Sequence, residues 1–203
     1  DSDADTLPQN QLRLIDVLSE RGIKIIAVIT STKPINMDFT DKCNAVLYSK
    51  PLSSAGIKSS IEIIGGKVIP SGRLIEYMPI SSDIKINIGD PKTYKYSFGH
   101  GLTYSIIDYK NFAIDRYGVE LTLQNNGAYD AYDTVQMYIE YQSAEVKLRS
   151  LRGFKKVFLK AGESIRVKLE FDDLTFRSYF EDKKCYGIKG GKYNVLIGRA
   201  YDQ

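Results

Sequence analysis

The sequence of 203 residues predicts an α/β part followed by an all-β part, in which the α/β part is an incomplete sandwich, the tail of a larger domain. Two observations predict this order. In the first half, nearly continuous apolar runs alternate with helical patterns, as in a parallel sheet that is covered on both faces. In the second half, short segments with a period of two recur between turn signals, which is typical of a β-sandwich.

The first predicted element is a helix that starts near Thr6 and ends at Gly22. Thr6 and Gln9 match a capping box, in which each side chain satisfies a backbone N–H group at the helix start. An apolar stripe at helical spacing follows, and a glycine is well suited to end the helix. The stripe consists of Leu12, Leu14, Ile15 and Leu18.

Two strands and a second helix follow. Residues 23–30 and 45–48 are apolar runs that fit strands of a parallel sheet. Residues 54–64 fit a helix closed by Gly65-Gly66, and residues 73–77 are predicted as a last extended piece. The apolar stripe of this helix consists of Ile57, Ile61 and Ile64. So small a parallel sheet leaves faces and edges uncovered, and the first ~90 residues are therefore predicted to be the tail of a larger α/β domain.

The alternating segments are clearest in residues 151–171. They predict a strand, a tight turn at residues 160–163 and a second strand that returns from Ser164. Asn125-Asn126-Gly127 marks another turn, and Gly190-Gly191 marks a hairpin turn. The predicted core-facing series are Ile165, Val167, Leu169 and Phe171; Val119, Leu121 and Leu123; and Val135, Met137 and Ile139. The predicted domain bounds are residues 1–80 for the α/β part, 81–108 for a linker with a junction loop, and 109–203 for the sandwich.

Composition and charge exclude several kinds of partner. The formal charge of +3 is small, and acidic residues dilute a basic group on the predicted sandwich, so no nucleic-acid partner is predicted. No apolar run approaches the ~20 residues of a membrane span, so no membrane partner is predicted either. Cys43 and Cys185 show no metal-ligand spacing, which predicts two free thiols and no metal site. The basic group consists of Lys147, Arg149, Arg152, Lys155, Lys156 and Lys160.

Five features follow one another along the chain and point to one family. They are Leu7-Pro8-Gln9-Asn10-Gln11, an apolar strand followed by Pro34-Ile35-Asn36-Met37, the stretch Ile69-Pro70-Ser71-Gly72-Arg73-Leu74, the loop Phe98-Gly99-His100-Gly101-Leu102-Thr103-Tyr104, and the alternating segments after them. In this order they resemble the C-terminal part of family 3 glycoside hydrolases, the large β-glucosidases and β-xylosidases. The resemblance implies that the all-β part is a fibronectin type III-like domain.

The resemblance also implies an activity for the intact protein. It would be a retaining hydrolase of terminal β-D-glucosidic or related β-glycosidic bonds, working through two carboxyl groups without a metal or organic cofactor. Two stretches depart from the family pattern. Residues 48–56 lack the Glu and the paired glycines of the family's Tyr-Pro-Gly-Gln-Glu-Gly-Gly-type loop, and Ile63-Ile64-Gly65-Gly66-Lys67 stands in place of the family's Leu-Phe-Gly-Asp. The departure at residues 48–56 favours an alternative, a noncatalytic binding or interaction module derived from such an enzyme. An unrelated adhesion or scaffold protein would require the five features to coincide by chance.

No catalytic residue is assigned to this chain. The resemblance places the nucleophilic Asp in an N-terminal (β/α)8 barrel and the acid/base Glu just before residue 1. Asp1, Asp3 and Asp5 form an acidic arm, and solvated carboxyl groups do not keep a proton near neutral pH. We therefore expect the chain alone to be inactive. Its partners would be the barrel and the upstream α/β segment, in the same precursor or as a separate chain, together with a β-glycoside substrate.

The junction loop supplies three candidate substrate-proximal residues, Tyr96, Phe98 and His100. A loop between domains can border an active site in a neighbouring domain. His100 is the only histidine, but no Ser or Cys nucleophile motif accompanies it, and packing or hydrogen bonding at the junction is its alternative role. Gly99 and Gly101 are expected to serve backbone geometry. A homo-oligomer is compatible with the sequence, which leaves the compartment open with a slight preference for the cytoplasm.

Overall fold

The computed structural model describes residues 6–50, 53–142 and 149–202. The chain divides into two compact units, one of Asp1–Val68 and Leu74–Phe98 and the other of Ile69–Arg73 and Gly99–Gln203. The predicted domain bounds at residues 80 and 108 remain predictions. Asp1, Asp3, Asp5 and Lys147, which were singled out in the sequence, lie outside the described residues.

Within the described residues, the first unit follows the order α1 (Gln9–Glu20), β1 (Ile26–Thr30), a 3-10 helix (Asp38–Lys42), β2 (Ala45–Ser49), α2 (Ser54–Ile64), β3 (Met78–Pro79), a 3-10 helix (Pro91–Thr93) and β4 (Tyr94–Tyr96). Strands β1 and β2 pair in parallel, with Ile26 opposite Ala45, whereas β3 and β4 pair antiparallel. The parallel pair with its helices confirms the predicted α/β class.

The ends of α1 bear out one prediction and correct another. The capping box is wrong, because Pro8 takes the N-cap position and a proline has no side-chain acceptor. The carbonyl of Pro8 instead accepts the N–H groups of Gln11 and Leu12 at 2.9 and 3.1 Å. The predicted end at Gly22 is confirmed, since its φ of 68° lies in the left-handed region that suits glycine.

Helix α2 matches its predicted bounds. The hydroxyl oxygen of Ser53 accepts the N–H of Gly56, and Gly66 adopts a φ of 71° just beyond the helix. The extended piece predicted at residues 73–77 is wrong, because the strand in this region is β3, which starts at Met78. Residues 91–96, inside the predicted linker, form a 3-10 turn and β4.

The apolar residues of the first unit divide between a buried core and an exposed face. Ile15 of α1 is buried in the core with Ile29, Met37 and Phe39. The predicted stripe of α2 points elsewhere: Ile57, Ile61 and Ile64 are 52%, 65% and 41% exposed, and Ile26 and Val28 of β1 are 52% and 44% exposed. An apolar helix stripe and an apolar sheet face both need a covering layer. This unit is therefore an incomplete α/β sandwich, as predicted.

The second unit contains the strands β5 (Ile107–Asp115), β6 (Gly118–Asn125), β7 (Ala131–Tyr141), β8 (Arg149–Leu159), β9 (Ser164–Glu170), β10 (Arg177–Phe180), β11 (Cys185–Ile188) and β12 (Tyr193–Gly198). They form one sheet in the order β12-β7-β8, a second in the order β5-β6-β9 and a separate pair β10-β11, and every pairing is antiparallel. The two larger sheets bury a common core that includes Leu121, Leu123, Val135, Met137 and Leu159. The predicted β-sandwich is confirmed.

Two predicted turns join strands of different sheets. The strands on either side of the turn at residues 160–163 do not pair with each other, because β8 pairs with β7 and β9 with β6. Its local chemistry is as expected: the carbonyl of Lys160 accepts the N–H of Glu163 at 3.0 Å, and Gly162 has a φ of 77°. The hairpin predicted at Gly190-Gly191 is wrong for the same reason, since β11 pairs with β10 and β12 with β7. Turn signals predict where a chain reverses, but not which strand it then pairs with.

Strand β7 is buried on both faces, although its alternating sequence predicts one solvent-facing side. Gln136, Tyr138 and Glu140 are as buried as their apolar neighbours. The ring of Tyr138 packs edge-on against Tyr201 at 5.8 Å between centroids, and Glu140 pairs with Arg149 at 3.3 Å. Segments distant in the sequence therefore cover the outer face of this strand.

Candidate functional site: the junction loop

Two of the three candidate residues, Tyr96 and Phe98, belong to the first unit. Tyr96 lies on β4, packs against the buried core of that unit, and donates its hydroxyl hydrogen to Oγ1 of Thr40 at 3.0 Å. Phe98 lies beside Tyr77, with 6.5 Å between the ring centroids. These contacts are those of packing residues, and their proximity to a substrate stays a prediction.

His100, the third candidate, falls in the second unit and is half-buried. Burial lowers the pKa of its imidazole below the ordinary 6.5, the negative charge of Asp202 opposes this, and the positive charge of Arg73 lowers the pKa further. The side chain is therefore neutral at pH 7. A neutral imidazole carries one hydrogen-bond donor and one acceptor, so it can hydrogen-bond a polar group without bringing a charge to it.

The carbonyl that follows His100 is held by an arginine. Nη1 of Arg73 donates a hydrogen bond to the carbonyl oxygen of Gly101. Nη2 of the same guanidinium lies 2.5 Å from Oδ1 of Asp133, whose side chain is 1% exposed. Arg73 thus links a buried carboxylate of β7 to the junction loop.

The carbonyl that precedes His100 is held by a glutamine. Nε2 of Gln136 donates to the carbonyl oxygen of Gly99 at 3.1 Å and also to that of Arg199. The orientation of this amide is set by Tyr138, whose hydroxyl donates to Oε1 of Gln136 at 2.6 Å. The carbonyl oxygens of both glycines that flank His100 therefore accept hydrogen bonds from side chains of the second unit.

Asp133 has further partners beside Arg73. Its Oδ1 accepts the N–H of Thr134 at 2.9 Å, and its Oδ2 lies 3.3 Å from Nε of Arg199. The guanidinium of Arg199 stacks over the ring of Tyr109 at 5.0 Å. Burial, followed by the negative charge of Asp133, raises the pKa of the Tyr109 phenol above its ordinary range. One buried carboxylate thus lies between two guanidiniums, of which that of Arg73 is nearly buried and that of Arg199 is partly exposed.

The expectation that Gly99 and Gly101 serve backbone geometry has a concrete basis. Gly99 has a φ of 82°, and a Cβ on it would overlap the side-chain amide of Gln136. A Cβ on Gly101 would overlap the backbone carbonyl oxygen of Gly72. The loop therefore packs too closely on both sides of His100 to admit a larger residue.

The stretch that departs from the family pattern is partly described. Lys50 pairs with Glu76 at 2.8 Å and donates to the carbonyl oxygen of Thr32 at 3.0 Å. The hydroxyl of Tyr48 donates to the carbonyl oxygen of Lys33 at 3.0 Å. Lys50 and Tyr48 thus have protein partners within this stretch.

Other candidate features have structural partners. Arg149 pairs with Glu140, Nη2 of Arg152 donates to the carbonyl oxygen of Arg177, and Lys156 donates to Oγ of Ser71. Cys43 and Cys185 are free thiols. No three His, Cys, Asp or Glu side chains of residues 6–50, 53–142 and 149–202 lie together in a way that could hold a metal ion. Neither helix of the described part has the length and apolarity of a membrane span.

Sequence reasoning missed the residues that hold the loop. Asp133 and Gln136 belong to a strand that was interpreted only by its apolar alternation, and Arg73 was quoted only as part of a motif. A signal was present, because Asp133 shares the core-facing parity of Ala131, Val135 and Met137. A carboxylate at such a position requires a buried cationic partner.

Comparisons with known proteins agree with these features. Residues 1–104 match the model of the glycosyl hydrolase family 3 C-terminal domain, and residues 133–200 match that of a fibronectin type III-like domain. Thermostable β-glucosidase B of Acetivibrio thermocellus is 27% identical over 96% of this chain and 30% of its own length. Exo-α-(1→6)-L-arabinopyranosidase of Bifidobacterium longum is 26% identical over 97% of this chain and 30% of its own length.

A solved structure shows the same fold. The GH3 β-glucosidase of Bifidobacterium adolescentis has a TM-score of 0.85 at 26% identity, over 98% of this chain and 34% of that one. The chain thus spans about a third of the length of these relatives. The family model covers 104 of the 203 residues, and the chain belongs to glycosyl hydrolase family 3, of which it carries the C-terminal domain and the fibronectin type III-like domain.

Proposed function

We propose that this chain is the C-terminal part of a retaining glycoside hydrolase that acts on terminal β-D-glucosidic or related β-glycosidic bonds. The observation that carries the proposal is the match of residues 1–104 to the C-terminal domain of a hydrolase family, followed in order by the fibronectin type III-like match. The relatives named as a β-glucosidase and an arabinopyranosidase support hydrolysis of glycosides.

The proposed reaction needs groups from outside this chain. Retaining glycosidases use two carboxyl groups about 5–5.5 Å apart, one as nucleophile and one as acid and then base. The two carboxylates Asp133 and Glu140 of β7 are buried against arginines and are not available for such roles. We place the nucleophile in a (β/α)8 barrel and the acid/base residue upstream of residue 1. Water would then release the sugar from the covalent glycosyl intermediate.

This chain would contribute the rest of the α/β sandwich and the fibronectin type III-like domain. The exposed face of Ile57, Ile61 and Ile64 supports the first role, since an apolar face of this kind calls for a covering layer. That layer would be the upstream α/β segment, in the same precursor or as a separate chain. A homo-oligomer of the intact protein is compatible with this proposal, and the number of copies is left open.

The test uses the intact gene product and a panel of aryl glycosides. We expect hydrolysis of an aryl β-D-glucoside, β-D-xyloside or α-L-arabinopyranoside with retained anomeric configuration, observed by NMR of the first product. The 203-residue chain is the matched control and should not hydrolyse any of them. An intact protein without activity on the panel would favour the alternative, a noncatalytic interaction module, which the departure at residues 48–56 supports.

A further inference from the structure

We propose that Asp133, Arg73 and Gln136 are positioning residues that fix the backbone on both sides of His100. The contacts run along two routes. One leads from Asp133 through Arg73 to the carbonyl of Gly101, and the other leads from Gln136 to the carbonyl of Gly99.

The energetics of burial distinguish this cluster from ordinary sandwich packing. Burying a carboxylate and a guanidinium removes both ions from water at a large desolvation cost, and the pair offsets this cost only when its geometry and further hydrogen bonds are good. Asp133 occupies a position whose neighbours Val135 and Met137 are apolar core residues. An apolar residue there would pack the sandwich without that cost. Asp133, through Arg73, and Gln136 instead contact the junction loop. We therefore assign them the role of positioning that loop.

The backbone on both sides of His100 is closely packed and hydrogen-bonded. The glycines on either side are held by their carbonyls, and neither can carry a Cβ without overlap. These contacts from several side chains therefore specify one conformation of the loop. The result is a half-buried imidazole, held neutral, on a fixed backbone.

The charged groups that act on His100 come from two segments. Arg73 belongs to residues 69–73, and Asp202 follows β12. Asp133 acts on His100 through Arg73. The bearing of this arrangement on a sugar substrate rests on the proposed function, whereas the fixation of the backbone does not.

The test is an NMR titration of His100 in the 203-residue chain, where it is the only histidine and its signals need no assignment. The variant Asp133→Asn separates a positioning role from a purely electrostatic one, because the two roles predict opposite changes in the pKa of His100. Removing a negative charge by itself lowers a histidine pKa, whereas releasing the loop into water raises it towards 6.5. We expect a rise. Val135→Ala is the matched control, because it weakens the core of the same strand without touching the loop, and it should leave the titration unchanged.

Gln136→Met provides a second variant without a change of charge and should also raise the pKa of His100. A pKa that stays at the wild-type value or falls in either folded variant overturns the proposal. So does a wild-type His100 that titrates at 6.5, a measurement that needs no variant to fold. Because these readouts require no glycosidase activity, their failure is distinguishable from failure of the proposed function.

Discussion

Asn125 is fully buried in the second unit, and its side chain makes four hydrogen bonds. Oδ1 accepts from the hydroxyl of Ser105 at 2.5 Å and from the N–H of Gly127 at 3.0 Å. Nδ2 donates to the carbonyl oxygens of Tyr129 at 2.8 Å and Leu159 at 3.3 Å. Replacement by Ala removes all four. At a net value of about 1 kcal/mol per bond, the free energy of unfolding is expected to fall by about 3–4 kcal/mol.

The adjacent Asn126 is a matched control. It is exposed, and its Nδ2 donates to Oδ2 of Asp108 at 2.6 Å. Asn126→Ala should therefore cost less than about 0.5 kcal/mol. Urea unfolding of both variants, followed by circular dichroism and tyrosine fluorescence, measures the two losses. A loss below about 1 kcal/mol in Asn125→Ala, or equal losses in the two variants, would refute the role assigned to the buried amide.

Three further predictions follow from the packing and the titration of the chain. Gly101→Ala should destabilise the second unit by about 1–3 kcal/mol in urea unfolding, because the new Cβ overlaps a backbone carbonyl oxygen. Gly72→Ala is the control and should cost little, because the space around its Cβ is open. Equal losses in the two variants would contradict the overlap. Tyr109 keeps its proton in the folded state above its ordinary pKa of 10.0 while the unfolded phenol loses it, so the free energy of unfolding should fall as the pH rises past that value. Tyr109→Phe should reduce this fall, and an unchanged slope would argue against a buried phenol. Ile61→Glu should lower the free energy of unfolding by less than about 0.5 kcal/mol in the 203-residue chain and by about 2 kcal/mol in the intact protein, where we expect the exposed face to be covered. Thermal unfolding of both forms measures the difference, with Lys58→Ala as the control. A small loss in both forms would exclude a covering layer.

Local signals predicted the elements whose ends they mark. Helix α2 ends at Gly65 as predicted, and the alternation of Val119, Leu121 and Leu123 correctly predicted the core strand β6. These features depend on residues that are neighbours along the chain. The capping box at Thr6 failed because Pro8 took the N-cap position instead.

Contacts between distant residues account for what could not be predicted. Gln136 and Glu140 have the spacing of solvent-facing residues, but Gly99, Arg199 and Arg149 cover them. The alternation in the sequence of β7 does not indicate that distant segments cover these side chains. The pairing of β8 and β9 with different sheets was hidden in the same way, since a turn has the same residues whether or not its strands pair.

At the candidate site, too, local features could be predicted from the sequence and contacts between distant residues could not. His100 could be singled out as a lone histidine in a recognisable motif. The pKa of its imidazole is set by burial, which lowers it, and by the opposing charges of Asp202 and Arg73, which are 102 and 27 residues away in the sequence. Tyr96 likewise finds its hydroxyl partner, Thr40, on a 3-10 helix of the first unit. The residues of the loop were predictable, but their surroundings were not.

The central proposal is that this chain is part of a retaining glycosidase whose catalytic carboxylates lie outside it. The most direct test treats the intact protein with an activated 2-deoxy-2-fluoro-β-glucoside, which traps the covalent glycosyl intermediate of a retaining enzyme, and locates the label by peptide mass spectrometry. The account predicts one fluoroglucosyl group per active site, on a carboxylate in a peptide outside these 203 residues. A labelled carboxylate within this chain, or hydrolysis with inversion and no label, would contradict it.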